Sequence, residues 1–269
     1  AELLLDLVRD KSIFEHFEIN LNHRCHSSII NYASRLLDSN FVLLPSESIN
    51  VYRKRLPGNL KDVSMTLSSW ISKWLNVGQW GVEQASQIAI FARKEQSLLL
   101  LCSGLTSNFR VYIDTPLDKL GTECSDLYKD LLAYRYKAIG TAQELINKVF
   151  DGLIMNDNHQ FLLRKKIKIL RSNLTDEELI NYFHEIAGML NIQFTESNDN
   201  AVLEIISDGM YLKQFMPLDK NEVQVMTLHK SKGLEFKIVL HLDMDEWSFP
   251  YRLVNEVDRN IALYPSLPQ

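Results

Sequence analysis

Hydrophobic positions are patterned most clearly near the end of the chain. Val223, Val225 and Met226 are β-formers, residues 227–236 form a polar run, and Ile238 to Leu242 is apolar again. This predicts a strand, a polar turn and a second strand. Upstream, the unbroken apolar run Ile88-Ala89-Ile90-Phe91 predicts a buried strand, Lys94 to Gly104 a helix stopping at a glycine, and Phe109 to Ile113 another strand. Together they read as a βαβ unit with a right-handed crossover. Near the start, Glu18 to Leu21 reads as a short strand, Asn22-His23-Arg24 as a polar corner, and Ser27 to Leu37 as a helix. Ile29, Ile30, Ala33, Leu36 and Leu37 share one face of that helix, which is expected to pack on a sheet.

Leu43 to Met65 is polar and irregular, with a turn at Pro57-Gly58 and the densest basic run at Arg53-Lys54-Arg55. Leu67 to Leu75 follows as a helix; its Trp70 and Trp74, four apart, share one side and read as packing groups. From Asp118 to Lys220 the pattern is helical only, with four or five helices expected. Thr141-Ala142-Gln143-Glu144 and Thr175-Asp176-Glu177-Glu178 both have the form of a capping box, and each precedes an amphipathic run. Strands lie on both sides of this block, so it is an insertion within an α/β domain.

With 269 residues, 46% of them hydrophobic, the chain can bury one large or two modest cores. Cys25, Cys102 and Cys124 lack metal-ligand or disulfide-like spacing, which suits a reducing cytoplasm. No apolar segment has membrane-spanning length, and Ala1-Glu2-Leu3-Leu4-Leu5 lacks the basic start of a signal peptide, so no membrane is expected as a partner. A net charge of −5 argues against a surface coated in nucleic acid, but a motor that releases each phosphate as it steps needs only a local basic track.

The turn of residues 227–236 carries the chemistry. Thr227 and Ser231 can donate to phosphate, Lys230 and Lys232 supply charge, and Gly233 lets backbone come close to a ligand. Glu235 is the one acid in a basic loop, and suggests a hydroxyl partner. Arg164-Lys165-Lys166, Lys168 and Arg171 form a basic patch in the helical block, read as a solvated face that could also touch duplex or a protein partner.

The run Val223 to Phe236 resembles motif V of the UvrD/Rep/PcrA-type superfamily 1 helicases, roughly V-x-L-M-T-x-H-x-[SA]-K-G-L-E-F. The resemblance implies that Thr227 and His229 face single-stranded DNA, and the charges of Lys230 and Lys232 would supply the local basic track that binds it. It also implies that Gly233 and Glu235 lie towards the nucleotide, with Glu235 near the ribose. Asn22-His23-Arg24 resembles motif IV, which implies that Arg24 reaches the γ-phosphate as an arginine finger and that His23 stands where the family stacks an aromatic on adenine. Ile88 to Arg93 resembles the motif IVa region, whose arginine contacts DNA backbone; Arg93 takes that place. Asp243-Met244-Asp245-Glu246 imitates a Walker B strand, but no G-x-x-x-x-G-K-[ST] accompanies it. Residues 245–250 instead resemble the E-G-x-F-P segment after motif V.

The implied fold is an α/β, RecA-like parallel-sheet domain of the P-loop NTPase type without its own P-loop, carrying an all-helical insertion. Residues 1–117 and 221–269 would form the second RecA-like domain and residues 118–220 a short relative of the 2B subdomain. The sequence starts after the family's motifs I to III and stops before motif VI, as expected of part of a longer helicase. ATP and Mg²⁺ would be bound mainly by an N-terminal RecA-like half, and the chain alone is expected to hydrolyse no ATP. Movement 3′ to 5′ on single-stranded DNA is implied by the resemblance. The short insertion and Thr115-Pro116-Leu117-Asp118 also resemble compact UvrD-like proteins of bacterial antiphage systems such as Gabija. A reading of another class is a non-catalytic helicase-like platform for DNA or protein docking. Such a module would be expected to lose Arg24 or Glu235 first, and both are present.

Overall fold

The computed structural model describes residues 25–242 apart from 39, 49, 53 and 150–156. Two compact units divide the chain, one of Ala1–Leu56 with Tyr251–Gln269 and one of Pro57–Pro250.

The first unit contains α1 (Ser27–Leu37), with the bounds expected from its pattern. Its cap is His26, whose ring nitrogen Nδ1 accepts the Ser28 N–H at 3.2 Å. Asn31 pins the following segment in both directions: its amide donates to the Leu44 carbonyl and its oxygen accepts the Leu44 N–H, each at 2.8 Å. The strand expected at Glu18 to Leu21, His23, Arg24 and Arg53 lie outside the described residues, as do Asp243 to Pro250.

In the second unit, α2 (Leu60–Val77) starts seven residues earlier than the apolar pattern alone predicts. The reason is chemical: Asn59 and Asp62 form a reciprocal capping box, the same device as Ser/Thr with Glu but with shorter arms. Its Trp70 and Trp74 rings lie 5.9 Å apart, and Trp74 meets Trp80 at 5.7 Å, so three indoles touch in series, the first two half-buried and Trp80 exposed. Buried Ser64, Leu67, Ser68 and Ile71 form the inward face of α2. This face packs on α3 (Glu95–Cys102), so closely that a Cβ on Gly104, just after α3, would stand 2.8 Å from the Ser64 hydroxyl. Gly104 is therefore required for close approach rather than for ending a helix.

Four strands, β1 (Ile88–Ala92), β2 (Phe109–Tyr112), β3 (Val223–Thr227) and β4 (Ile238–His241), form an all-parallel sheet in the order β2-β3-β1-β4. All of β1 is buried, which explains its lack of alternation. The βαβ unit is present, but β1 and β2 are not neighbours; β3 pairs with both. Helix α3 covers one face, against β1 and β3. On the other, Ala89, Phe91 and Met226 are joined by Leu228 and Phe236 from the loop leaving β3. That loop runs back along β1 to start β4, with the Phe236 ring edge-on to Phe91 at 5.7 Å.

Between β2 and β3 in the chain lie seven helices among the described residues: α4 (Pro116–Leu120), α5 (Glu123–Arg135), α6 (Ala142–Val149), α7 (Asp157–Ile169), α8 (Asp176–Met189), α9 (Glu196–Ser207) and α10 (Gly209–Lys213). The count exceeds the four or five expected because α4 and α10 are too short to show a hydrophobic period. Thr175 and Glu178 form the expected box at α8. At α6 only half of it forms as expected: Thr141 accepts the Glu144 N–H at 3.1 Å, while the Glu144 carboxylate accepts from Gly140 instead. Tyr128, Leu131, Leu145, Leu163, Phe183 and Val202 anchor a core of the block's own, with Tyr128 edge-on to Phe183 at 4.9 Å. Cys102 and Cys124 are buried and Cys25 is exposed, and burial pushes the Cys102 thiol up to about 12.

The helical block is fastened to the sheet by Arg110 of β2, 3% exposed. Its guanidinium donates to the Met216 carbonyl at 2.5 Å and the Pro217 carbonyl at 2.7 Å, and pairs with Glu222 at 2.8 Å. Lys213 reaches the same carboxylate at 3.1 Å. One side chain thus holds the exit of the block and the approach to β3.

Candidate nucleic-acid interface at the carboxyl edge of the sheet

Parallel strands place all their carboxyl ends on one edge, where α/β sheets bind ligands. Here the register fixes which residues meet. Ala92 of β1 pairs with Thr227 of β3, so Arg93 emerges beside Leu228, whose N–H donates to the Ala92 carbonyl at 3.3 Å. Tyr112 of β2 pairs with Met226, which brings residues 113–115 to the same edge. Arg93, Thr227, His229 and Lys230 therefore converge there, although the chain separates Arg93 from the rest by the whole helical block.

After Thr227 the backbone tightens into consecutive turns. The Ser231 N–H donates to the Thr227 carbonyl at 3.2 Å, the Leu234 N–H to the Ser231 carbonyl at 3.0 Å, and the Ser231 hydroxyl to the Leu228 carbonyl at 2.9 Å. Ser231 is thus engaged in building the loop, while Arg93, His229, Lys232 and Glu235 are exposed and Thr227 is half-buried. Gly233 adopts φ +87° with open space around the position of a Cβ. Its requirement is the left-handed backbone that turns the loop, and not a crowded approach. Lys237 ends the loop, its N–H on the Gln87 carbonyl at 3.0 Å and its ammonium on the Gly81 carbonyl.

Lys230 is the residue whose surroundings the sequence conceals. Its ammonium lies 2.8 Å from Asp114, just beyond β2, and 3.6 Å from Asp118 in the first turn of α4. Asp118 also accepts the Thr115 N–H and hydroxyl, each at 2.8 Å, and pairs with Lys129 of α5 at 2.9 Å. Burial would raise the Asp118 carboxyl, but the bonds from Thr115 and Lys129 and the charge of Lys230 outweigh it and hold it below its ordinary value of 3.8. Its contribution to stability is therefore complete above that value and lost as pH falls through the lower folded one. Asp118→Asn should destabilise the protein at neutral pH, with the deficit shrinking below pH 3.8, as read by urea titrations across pH. The Thr115-Pro116-Leu117-Asp118 run is a capping box with proline in the first turn, so its local role is to start α4.

The other basic cluster is largely consumed internally. Arg171 donates to the Tyr134 and Ile139 carbonyls and lies over the Tyr134 ring at 4.0 Å; Lys166 pairs with Glu185; Arg164 bonds Gln143. Lys165, Lys168 and Arg171 are its exposed cations, and of these Arg171 is already engaged by the two carbonyls and the ring. Among the described residues, no group of three or more His, Cys, Asp or Glu could hold a metal, and no helix is long and apolar enough to cross a membrane.

No curated protein matches the chain. The family model of the UvrD-like helicase C-terminal domain does, over residues 119–262, a span that takes in the helical block from the end of α4 onward, β3, the polar loop and β4. The matched residues hold most of the helical block, β3, the hydroxyl- and lysine-bearing loop at the carboxyl edge and β4, with β1 and β2 of the same parallel sheet preceding them; the match covers more than half of the chain, which accordingly belongs to the UvrD-like helicase C-terminal domain family.

Proposed function

We propose that the chain is the second RecA-like half of an ATP-dependent helicase that steps along single-stranded DNA, 3′ to 5′, and that the carboxyl edge of its sheet is part of the DNA track. The observation that carries this reading is the convergence of Arg93, Thr227, His229 and Lys230 on one sheet edge, with Lys232 on the same loop. Cations and hydroxyls suit a phosphodiester backbone, and the exposure of Arg93, His229 and Lys232 suits contacts that must form and break at each step. In this reading residues 118–220 are a short 2B-like insertion whose duplex contacts are limited by the few free cations of its basic cluster.

ATP is the implied energy source. Glu235, an exposed carboxylate two residues past the left-handed Gly233, has the chemistry to accept from the ribose hydroxyls. The sequence holds no G-x-x-x-x-G-K-[ST], so in this reading the triphosphate and Mg²⁺ are held chiefly by an N-terminal half, with Arg24 supplying charge to the γ-phosphate and His23 a ring to the base. The role of this half is to orient the nucleotide from one side while its sheet edge grips DNA on the other.

The test is anisotropy of a fluorescein-labelled oligo(dT) titrated with the protein over a salt series. Weak binding that falls steeply with salt is expected, weakened further by about three- to tenfold in Arg93→Ala and His229→Ala, as single phosphate contacts at a wet surface are lost. Salt-insensitive binding, or binding untouched by both substitutions, would remove the DNA track from this edge.

A further inference from the structure

The Lys230 ammonium has two anions beside it, Asp114 at 2.8 Å and Asp118 at 3.6 Å. We infer that Asp114 and Asp118 compete with the DNA backbone for Lys230: they hold the ammonium when no strand is present and yield it to a phosphodiester when one arrives. This rests on the reading of the sheet edge as a DNA track.

The two carboxylates are unequal in a way that permits exchange. Asp118 is 21% exposed and keeps the Thr115 and Lys129 bonds whether or not Lys230 stays, so losing the ammonium strands no buried charge. Asp114 is 57% exposed and regains water on release. A buried ion pair cannot be opened so cheaply, because one partner would be left desolvated. Arg110 with Glu222, whose side chains are 4% and 10% exposed, is that contrasting case in the same unit. Lys230, one third exposed, can leave its carboxylates without uncovering the core.

The location adds a consequence. Lys230 sits on the loop after β3 and Asp118 in the first turn of α4, so the contact ties the proposed DNA loop to the root of the helical block. DNA that takes Lys230 also unties that loop. Asp114 and Asp118 are positioning residues in this scheme; neither touches DNA.

The experiment measures oligo(dT) affinity by anisotropy for the wild type, Asp114→Asn, Lys230→Ala and the double variant, at several salt concentrations. Asp114→Asn should bind roughly three- to fivefold tighter at low salt, the size of one exposed ion pair removed from the free state. The gain should shrink as salt screens that pair, so the dependence on salt becomes steeper than in the wild type. In the Lys230→Ala background, Asp114→Asn should change nothing. An unchanged affinity for Asp114→Asn while the wild type binds overturns the competition and leaves the DNA track standing. An equal gain with Lys230 absent also overturns it, since the carboxylate would then act only as a repelling charge. A wild type that does not bind oligo(dT) overturns both.

Discussion

Arg110→Ala is expected to destabilise the second unit by about 3–5 kcal/mol, the cost of removing one partner from a buried, hydrogen-bonded ion pair. The loss has two parts. Glu222, 10% exposed, keeps only Lys213 at 3.1 Å, and the Met216 and Pro217 carbonyls lose their donor. Lys213 is half exposed, so its residual pairing places the value towards the lower end of that range. Urea denaturation reads the total, and hydrogen exchange over residues 214–223 should report the loss locally. Arg110→Met with Glu222→Leu should recover much of the deficit, because no buried charge is then stranded. A loss below about 1 kcal/mol for the single variant would show that this clamp does not hold the block.

The second large effect concerns catalysis in the whole ATPase and follows from the proposed role of Arg24. A finger that meets charge developing on the transferring phosphoryl group acts in the transition state, so Arg24→Ala should lower DNA-stimulated turnover by roughly 10³-fold while oligo(dT) affinity stays near wild type. Arg24→Lys should not restore it, since a point charge lacks the planar fork that engages two phosphate oxygens. His229→Ala should give the opposite division, with weakened DNA binding and near-normal turnover without DNA. Near-normal stimulated turnover in Arg24→Ala, or abolished DNA binding in a protein that circular dichroism shows to be folded, would sink the assignment.

The strands were legible because each is a short apolar run bounded by polar turns, and β1 and β3 lie within a residue or two of where their patterns put them. Helix α2 shows the limit of periodicity: in its first turns, Leu60 to Thr66, none of the apolar residues Leu60, Val63 and Met65 is buried, and the Asn59–Asp62 box that starts it is visible only if short-armed caps are admitted. Strand order was not legible at all, since nothing local to β1 or β2 records that β3 will lie between them. At the site, Arg93, Thr227, His229 and Lys230 could be named one by one from motif resemblance, and the geometry gathers them on one edge. The partners of Lys230 could not, because Asp114 and Asp118 are remote in sequence and ordinary in composition. The same holds for Arg110 and Glu222, which read as unremarkable charges in a chain with 63 charged side chains, 29 basic and 34 acidic.

The position of β3 in the sheet sets an order in time. As the chain leaves the ribosome, β1 and β2 are made first, yet they share no hydrogen bonds with each other and must wait for the strand that separates them. Everything synthesised in the interval is the helical block, whose contacts are local and whose core is its own, so it can form while the sheet is still open. The pairing of Phe109 with Val223 then closes a loop that the folded helices have already shortened, which reduces the entropy lost in bringing β2 and β3 together. Nascent chains ending before Val223 would hold a finished helical block beside two strands with exposed edges, which is the form of this polypeptide most in need of a chaperone.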